Sequence, residues 1–234
     1  MKKVFSLFAA VLLISCSSRG FNRGALKEQL GVDKPVVTDK EIVAVLNKKA
    51  NLPKPFHMAL YFKEQRTGHH GANQNWRWDA ADKELIVSSI KNSDLDKSLK
   101  EISVVPSSNS EDIKALRLAA AQQGADALLV VSGISDVDTY CNNAAWSYLL
   151  LVPAFFVKGN EADSLFIAQA SLYDVRNEFL YFNAEAESEK KFKYPGFLGP
   201  NDKKLVSEAK NIAIKELSTE VIKMIAGRKT SDIN

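Results

Sequence analysis

The sequence predicts an α/β fold, more specifically an α+β sandwich: a mixed β-sheet with helices packed on it, a long β-hairpin and a C-terminal helix. Three observations support this fold class. Strand-type and helix-type hydrophobic patterns alternate between residues 55 and 131. Two further strand patterns flank Asp174-Val-Arg-Asn177, a sequence typical of a hairpin turn. Residues 202–226 then repeat apolar side chains at helical spacing.

The first half of the domain is predicted from the order strand, helix, strand, helix, strand. Residues 55–62 alternate apolar and other side chains, as a strand does. Ser108 followed by Glu111 is a capping-box signal for a helix start, and Gly124 is placed to end that helix. Residues 127–131 are continuously apolar, which is typical of a strand covered on both faces. The predicted elements are strands at 55–62, 102–105 and 127–131 and helices at 79–91 and 112–123.

The second half is predicted to be a hairpin and a closing helix. The hairpin arms are residues 165–173 and 178–189. Because the second arm becomes very polar toward its end, we expect that end to be solvated or at a sheet edge. The helix at 202–226 is predicted to bury a stripe of Leu205, Ala209, Ile212, Leu217, Val221, Met224 and Ile225.

The amino terminus has the pattern of a secretory signal. Lys2 and Lys3 form a positive region, and residues 4–14 form an apolar run shorter than the ~20 residues of a spanning helix. The following Leu13-Ile14-Ser15-Cys16 resembles the bacterial lipobox, in which the cysteine thiol receives a diacylglyceryl group before cleavage. The alternative is a leftover cysteine in an uncleaved signal or anchor.

The lipobox resemblance implies a mature protein that begins at Cys16 and is held by two or three acyl chains. Because Ser17 is not Asp, the same resemblance implies sorting to the outer membrane, most simply with the domain facing the periplasm. The predicted organisation is a signal peptide (1–15), a lipidated tether with a short helical segment (16–54), one α/β domain (55–227) and a polar tail (228–234).

Charge and cysteine content limit the classes of partner and the disulfide pairing that the sequence predicts. Removal of residues 1–15 lowers the formal net charge from +3 to about +1, and no basic run is interleaved with aromatic residues, so no nucleic-acid partner is predicted. Once Cys16 carries lipid, Cys141 has no partner in the same chain. Cys141 could then be a buried thiol, an intermolecular disulfide or a reactive group, and we favour an inert buried thiol.

Histidine is the first candidate for site chemistry. His69 and His70 lie next to each other in a polar loop and could hold a metal only with a third ligand from elsewhere. A loop with two exposed histidines is the favoured interpretation. His57 is expected on the surface face of its strand, because Phe56 and Met58 occupy the other face.

Two further clusters and the catalytic motifs lead to no predicted active site. Trp76 and Trp78 could stack on a ligand, but an attachment of the loop to the core is favoured. Asp136 and Asp138 would share one face of a strand, as at a solvated strand end. Gly-x-Ser-x-Gly, His-Glu-x-x-His and phosphate-binding loops are absent from the sequence. We therefore predict no catalytic residues, no cofactor and no metal.

Residues 144–157 are the most informative segment, because they contain almost no polar side chain. A helix of this length would span only about 21 Å of a roughly 30 Å bilayer core, and Pro153 would interrupt it. As an extended strand the segment would reach about 46 Å, long enough for an arm of a membrane hairpin. The arms of such a hairpin alternate lipid-facing and water-facing side chains, and this segment does not. The segment is either a buried strand or core cover, or a contact surface for another copy, another protein or the inner leaflet. The contact residues would be Trp146, Tyr148, Leu150, Phe155 and Phe156.

The chain also resembles a family of envelope proteins. Gly124-Ala-Asp-Ala-Leu-Leu-Val-Val131, Leu149-Leu-Leu-Val-Pro153 and Ala170-Ser-Leu-Tyr-Asp-Val-Arg176 are similar to elements of the rhombotarget lipoproteins and, more remotely, of the curli-secretion (CsgG-like) lipoprotein and the TolB amino-terminal domain. The resemblance implies a non-enzymatic envelope assembly, scaffold or accessory subunit that contacts other envelope proteins or itself. The alternatives are an oligomeric transport or secretion component that inserts part of 144–157, and a periplasmic metal-binding protein or hydrolase.

Overall fold

The order of elements in the structure, a computed structural model, follows the predicted order. It describes residues 18, 20–30, 38–64, 76–95, 98–106, 112–150, 155–195 and 198–227. The helices are α1 (Arg23–Leu30), α2 (Asp39–Leu46), α3 (Ala80–Lys91), α4 (Ile113–Gln122) and α5 (Asp202–Gly227), with a 3₁₀ helix at Asn143–Leu150. The strands are β1 (Phe56–Phe62), β2 (Leu99–Val104), β3 (Ala127–Cys141), β4 (Asn160–Asp174) and β5 (Leu180–Tyr194).

The five strands form one mixed sheet in the order β2-β1-β3-β4-β5. β1 is parallel to both β2 and β3, whereas β3, β4 and β5 are successively antiparallel. Helices α3 and α5 pack on one face, in the main core cluster with Met58, Leu60 and Phe166. Helices α4 and α1 pack on the other face. The predicted α+β fold with a mixed sheet, a long hairpin and a closing helix is confirmed.

The strands of the hairpin half are longer than the sequence pattern indicates. β3 continues ten residues beyond Val131 because it pairs with β4 along its whole length, from Ala127 opposite Asp174 to Cys141 opposite Asn160. β5 is an edge strand, as its polarity predicts. Its buried residues alternate with exposed ones, which is the pattern of a strand with one face on a core and one more open face.

The end of α4 follows the glycine signal. Gly124 has φ +73°, and the amides of Gly124 and Ala125 donate to the carbonyls of Ala121 and Ala120 at 2.9 and 3.0 Å. The helix starts at an N-cap Asp112 whose side chain accepts from the amide of Lys114. The predicted Ser108–Glu111 capping box lies outside the described residues.

The segment predicted as a tether is partly built into the domain. α1 buries Leu26 and Leu30 against Ile134, Leu165 and Ile167 on the sheet. The expectation of a tether with only one short helical segment therefore needs correction over residues 23–30. The sequence signal is weak here because an eight-residue helix with apolar residues only four apart covers a narrow stripe.

The predicted short helix is α2, which begins at the capping box of Thr38 and Glu41. Its apolar side chains are exposed, and Leu46 is 77% accessible. Beyond α2, the carbonyl of Lys49 accepts from Asn177 Nδ2 at 2.6 Å. The C-terminal end of α2 therefore lies near the turn between β4 and β5.

A buried ion pair joins α3 to α5. Lys210, only 4% exposed, places Nζ 2.5 Å from Asp82 Oδ2 and 2.9 Å from the carbonyl of Arg77. Asp82 also accepts from the amide of Asp79 in the capping box that starts α3. The predicted apolar stripe of the last helix omitted Lys210, and it placed Ile212 and Met224, which are half-buried, among the buried residues.

Candidate functional site

The predicted contact segment and the residues after the predicted lipidation site lie at or near one end of the sheet, called here the distal end. It is the end where β3 finishes at Cys141, β4 begins at Asn160 and β5 finishes at Tyr194. The β3–β4 connection (residues 142–159) closes there, because the amide of Asn142 donates to the carbonyl of Gly159 at 2.8 Å. Asn142 Nδ2 also donates to the carbonyl of Lys158 at 2.9 Å.

The residues that follow the predicted lipidation site are fixed to β3 near this end. Ser18 Oγ donates to Asp138 Oδ2 at 2.6 Å, and the amide of Gly20 donates to the same oxygen at 2.9 Å. Asp138 is 3% exposed. The expectation that Asp136 and Asp138 mark a solvated strand end is therefore wrong for Asp138, because the segment before α1 covers it.

The position of Cys16 is limited by this contact. Cys16 itself lies outside the described residues, but it precedes Ser18 by two residues, which span at most about 7 Å. Asp138 lies three residues, or about 10 Å, before the end of β3. Covalent geometry thus keeps any lipid on Cys16 close to the distal end.

The acidic side chains of Asp163 and Glu161, near Asp138, are buried and half-buried and have cationic partners. Asp163 lies directly opposite Asp138 in the β3–β4 register and is buried. Lys191 Nζ lies 3.2 Å from Asp163 Oδ2, and Lys193 Nζ lies 3.0 Å from Glu161 Oε1. The contact with Lys193, helped by Asn142, lowers the pKa of Glu161 below its usual value.

Tyr140 connects the two acids. Its hydroxyl lies 3.0 Å from Asp163 Oδ2 and 3.2 Å from Glu161 Oε2. Burial, together with the hydrogen bond to Asp163, raises the pKa of Tyr140 well above its usual value. The hydroxyl is protonated at physiological pH and donates to these carboxylates. We interpret the cluster as an ion-pair network that stabilises the strand ends.

In the described residues of the β3–β4 connection, 142–150 and 155–159, the structure has a 3₁₀ helix and no strand. Tyr148 OH in this helix donates to the carbonyl of Val157 at 3.0 Å and accepts from the amide of Gly159 at 2.6 Å. A Cβ on Gly159 would lie 2.7 Å from both Ala145 Cα and the Tyr148 hydroxyl, so only glycine allows this approach. The expectations of a buried or an extended strand over 144–157 are wrong for the described residues.

The predicted contact surface is only partly a surface. Phe155 and Phe156 are 51% and 79% exposed, as a contact surface requires. Tyr148 is half-buried and uses its hydroxyl to close the connection. The backbone of Trp146 and Leu150 belongs to the 3₁₀ helix, and their side chains lie outside the described residues.

Sequence reasoning missed two exposed apolar side chains at the same end. Phe192, two residues before the end of β5, is 47% exposed, and Leu198, in the connection from β5 to α5, is 55% exposed. Phe192 was missed because the second hairpin arm is mostly polar. The signal in the sequence was an aromatic residue between two charged ones, Lys191 and Lys193.

The histidines do not form a metal site in the described residues. His57 is buried, and its Nε2 lies 3.1 Å from Ser103 Oγ. The expectation of a surface position is wrong because α4 covers that face of the sheet. His69 and His70 lie outside the described residues, and among the residues that the structure describes no three His, Cys, Asp or Glu side chains are grouped to hold a metal.

The tryptophan pair belongs to the core. Trp76 and Trp78 are both buried, and the Trp76 ring meets Phe166 edge-on at 4.8 Å between centroids. Trp78 Nε1 donates to the carbonyl of Lys63 at 2.9 Å. The favoured interpretation, attachment of the preceding loop to the core, is confirmed.

Cys141 is disulfide-bonded in the structure. This differs from the inert thiol favoured by the sequence, and the only other cysteine, Cys16, lies outside the described residues. A sulfur that carries a diacylglyceryl thioether cannot also form a disulfide, so acylation of Cys16 would leave Cys141 as a thiol or bonded to another chain.

An open cavity of about 390 Å³ lies between the end of α3 and β2, far from the distal end. Of the side chains that line it, Ser93 is the one with a hydroxyl, and that hydroxyl donates to the carbonyl of Ile90 at 2.6 Å.

Across the described ranges, no helix combines the length and apolar character that crossing a bilayer requires.

No family model matches the chain, and no curated protein matches it. Similar solved structures include a hypothetical protein from Chlamydia trachomatis (10% identity, TM-score 0.41, covering 74% of this chain and 98% of that chain). A PelC dodecamer from Paraburkholderia phytofirmans has 12% identity and a TM-score of 0.35 over 76% of this chain and 94% of that chain. A minor lipoprotein from Acinetobacter baumannii has 10% identity and a TM-score of 0.36 over 76% and 96%. Similarity at this level assigns no function to the chain.

Proposed function

We propose that the chain is a bacterial lipoprotein, anchored in the outer membrane through Cys16 and facing the periplasm, that acts as a non-enzymatic assembly, scaffold or accessory subunit of the envelope. The lipobox sequence Leu13-Ile14-Ser15-Cys16 supports the anchor, and one structural observation supports its place beside the domain. Ser18 and Gly20, which follow the predicted acylation site, are hydrogen-bonded to Asp138 in the sheet. An acyl group on Cys16 would therefore be held against the folded domain and not on a long tether.

The side-chain chemistry of the described residues supports a structural role. The acids at the distal end are paired with lysines, and Tyr140 is held in its protonated form. Two of the three motifs that resemble the rhombotarget lipoproteins lie at the junction of α4 with β3 and at the turn between β4 and β5. These motifs build the sheet, so the resemblance supports a shared architecture and leaves the partner to be found.

The accessory role needs a contact surface for another envelope protein, another copy or the membrane leaflet. Phe155 and Phe156 are the predicted contact residues that the structure exposes. Insertion of the same segment as part of a transport channel is less well supported, because the 3₁₀ helix covers eight residues and about 16 Å. The metal-binding or hydrolase alternative depends on His69 and His70 and remains a prediction.

The experiment that tests the anchor is metabolic labelling of the full chain with a palmitate analogue in a Gram-negative host. We expect the label on the wild-type protein and on Cys141→Ser, and its loss in Cys16→Ser, since acyl transfer needs the thiol at position 16. The mature mass should begin at Cys16 and include the acyl chains. A label that persists in Cys16→Ser, or a mature protein that begins elsewhere, contradicts the proposal.

Sorting is tested with the same preparation. Separation of inner from outer membranes on a density gradient should place the wild-type protein in the outer membrane. Ser17→Asp should move it to the inner membrane, and Ser17→Ala is the matched control that changes the same position without adding the acid. Wild-type protein in the inner membrane would contradict the proposed location.

A further inference from the structure

We propose that the distal end of the sheet rests on the phospholipid surface, with Phe155, Phe156, Phe192 and Leu198 entering the lipid interface beside the acyl chains of Cys16. The inference deepens the proposed function, because it rests on the anchor at Cys16 and names the partner of this surface. The occupant is the bilayer, and a second copy or another protein would be an alternative outcome of the test.

The first step of the argument is the position of the anchor. Ser18 Oγ lies 2.6 Å from Asp138 Oδ2, and Cys16 is two residues away. The acyl chains of a lipoprotein lie in the bilayer, so an acylated Cys16 lies at the membrane surface. Ser18 is then within about 7 Å of that surface, because two residues span no more than this distance. This places the end of β3, about 10 Å beyond Asp138, near the lipid as well.

The second step is the apolar surface at the same end. Phe155 and Phe156 lie in the β3–β4 connection, shortly before Gly159, which is hydrogen-bonded to Asn142 at the end of β3. Phe192 and Leu198 flank the end of β5, which pairs with the start of β4. All four are between 47% and 79% exposed. In the strand register Phe192 pairs with Ala162 and lies on the sheet face opposite Asp138, so the exposed apolar side chains of this end are not confined to the anchor's face. Aromatic and aliphatic side chains exposed at the end that carries an acyl anchor fit the interface of a bilayer.

The third step is the charge around these side chains. Lys158, Lys203 and Lys204 are exposed at or next to the same strand and helix ends. The nearby Glu161 and Asp163 are half-buried and buried, and both are ion-paired with lysines. The exposed charge of the surface is therefore mainly positive. Lysines beside exposed aromatic residues favour a phospholipid surface, since phosphate groups pair with the ammonium groups while the rings enter the lipid.

The fourth step is a comparison with the opposite end of the sheet. Leu46 in α2 is as exposed as Phe156, at 77% against 79%. Lys48 Nζ lies 3.9 Å from Glu178 Oε2, so the end of α2 lies at the hairpin turn. Strands of 15 residues separate the two ends by about 45 Å. Leu46 is therefore a matched exposed position that the proposal places away from the membrane.

The test uses the full acylated protein in vesicles of phosphatidylethanolamine and phosphatidylglycerol, with and without brominated acyl chains. Phe156→Trp and Leu46→Trp each add one fluorescent reporter to the same three native tryptophans. We expect brominated lipid to remove most of the emission added at position 156 and to leave that added at position 46 unchanged. Equal quenching at both positions, or none at 156, overturns the proposal. If the emission of the tryptophan at position 156 shifts to the blue as protein concentration rises, and brominated lipid does not quench it, the proposal is overturned in favour of self-association.

A second measurement does not depend on the acyl chains. All described residues lie after residue 17, so the chain without residues 1–16 retains every described element. We expect its partition onto the same vesicles to fall about tenfold for each of Phe155→Ser and Phe156→Ser, from the transfer free energy of the ring. Leu46→Ser is the matched control and should not change the partition. Circular dichroism of each variant separates weak binding from loss of folding.

The two measurements, together with the palmitate label, distinguish two failures. One is the failure of the proposed acylation of Cys16, and the other is the failure of the proposed contact between the distal end and the phospholipid surface. If the full chain takes no palmitate label while the partition of the chain without residues 1–16 still depends on Phe155 and Phe156, the anchor is contradicted and the membrane surface is supported. An acylated protein with no quenching at position 156 supports the anchor and overturns the membrane surface.

Discussion

Replacement of Lys210 should show how strongly the contact of α5 with α3 depends on one buried charge. At 2.5 Å and an effective dielectric of about 20, the attraction between Lys210 Nζ and Asp82 Oδ2 is about 7 kcal/mol. Removing two charges from water costs several kcal/mol for each ion, so the net gain from the intact pair is small. Removal of one partner, however, leaves the other charge buried and unpaired. We expect Lys210→Ala to lower the free energy of unfolding by about 3–5 kcal/mol.

The assay is urea unfolding of the chain without residues 1–16, followed by far-UV circular dichroism. Lys215→Ala, at an exposed position of the same helix, is the matched control and should change stability by less than about 0.5 kcal/mol. Lys210→Met combined with Asp82→Asn should recover at least half of the loss, since no charge then remains buried. A Lys210→Ala variant within about 1 kcal/mol of the wild type, or a double variant no more stable than Lys210→Ala, would refute the reasoning.

Three further predictions concern the distal end. Gly159→Ala should cost about 1–3 kcal/mol in urea unfolding because its Cβ meets Ala145 and Tyr148; Gly199→Ala, with no atom within 4 Å of its Cβ, should be close to neutral. The raised pKa of Tyr140 means that the folded protein keeps a proton that the unfolded chain loses above about pH 10. Wild-type stability should therefore fall more steeply above pH 10 than that of Tyr140→Phe, by up to about 1.4 kcal/mol per pH unit, and parallel profiles would contradict this. If Cys16 is acylated, alkylation followed by mass spectrometry should find Cys141 as a thiol or bonded to another chain, whereas a bond between the two cysteines would show an unacylated Cys16.

The parts of the fold that the sequence predicts are those decided by local patterns. The apolar periodicity of β1, the glycine that ends α4 and the turn at Asp174 each depend on neighbouring residues. Apolar runs and turn residues hold this information within a few positions of the chain. The order of elements and the class of sheet follow from them.

The parts that the sequence does not predict depend on contacts between distant residues. Asp138 looks solvated in the sequence, but Ser18, 120 residues earlier, covers and bonds it. His57 is buried because α4 packs over its face, and Lys210 is buried because Asp82, 128 residues earlier, carries the opposite charge. A polar residue can occupy a buried position whenever the fold brings a partner to it, and local periodicity does not show that partner.

The same dependence on distant contacts explains the arrangement of the distal end. The sequence separates the predicted acylation site, the apolar segment at 144–157 and the polar second arm of the hairpin by more than a hundred residues in total. The antiparallel pairing of β3, β4 and β5 brings the ends of these segments together, and the hydrogen bonds from Ser18 and Gly20 to Asp138 bring the amino terminus to the same place. An anchor fixed in this way restricts the orientations that the domain can take on a membrane, which a flexible tether would not do. Phe155 and Phe156 are exposed at the end of the sheet where the proposed anchor would hold the bilayer, so the membrane would cover apolar surface that the domain leaves accessible.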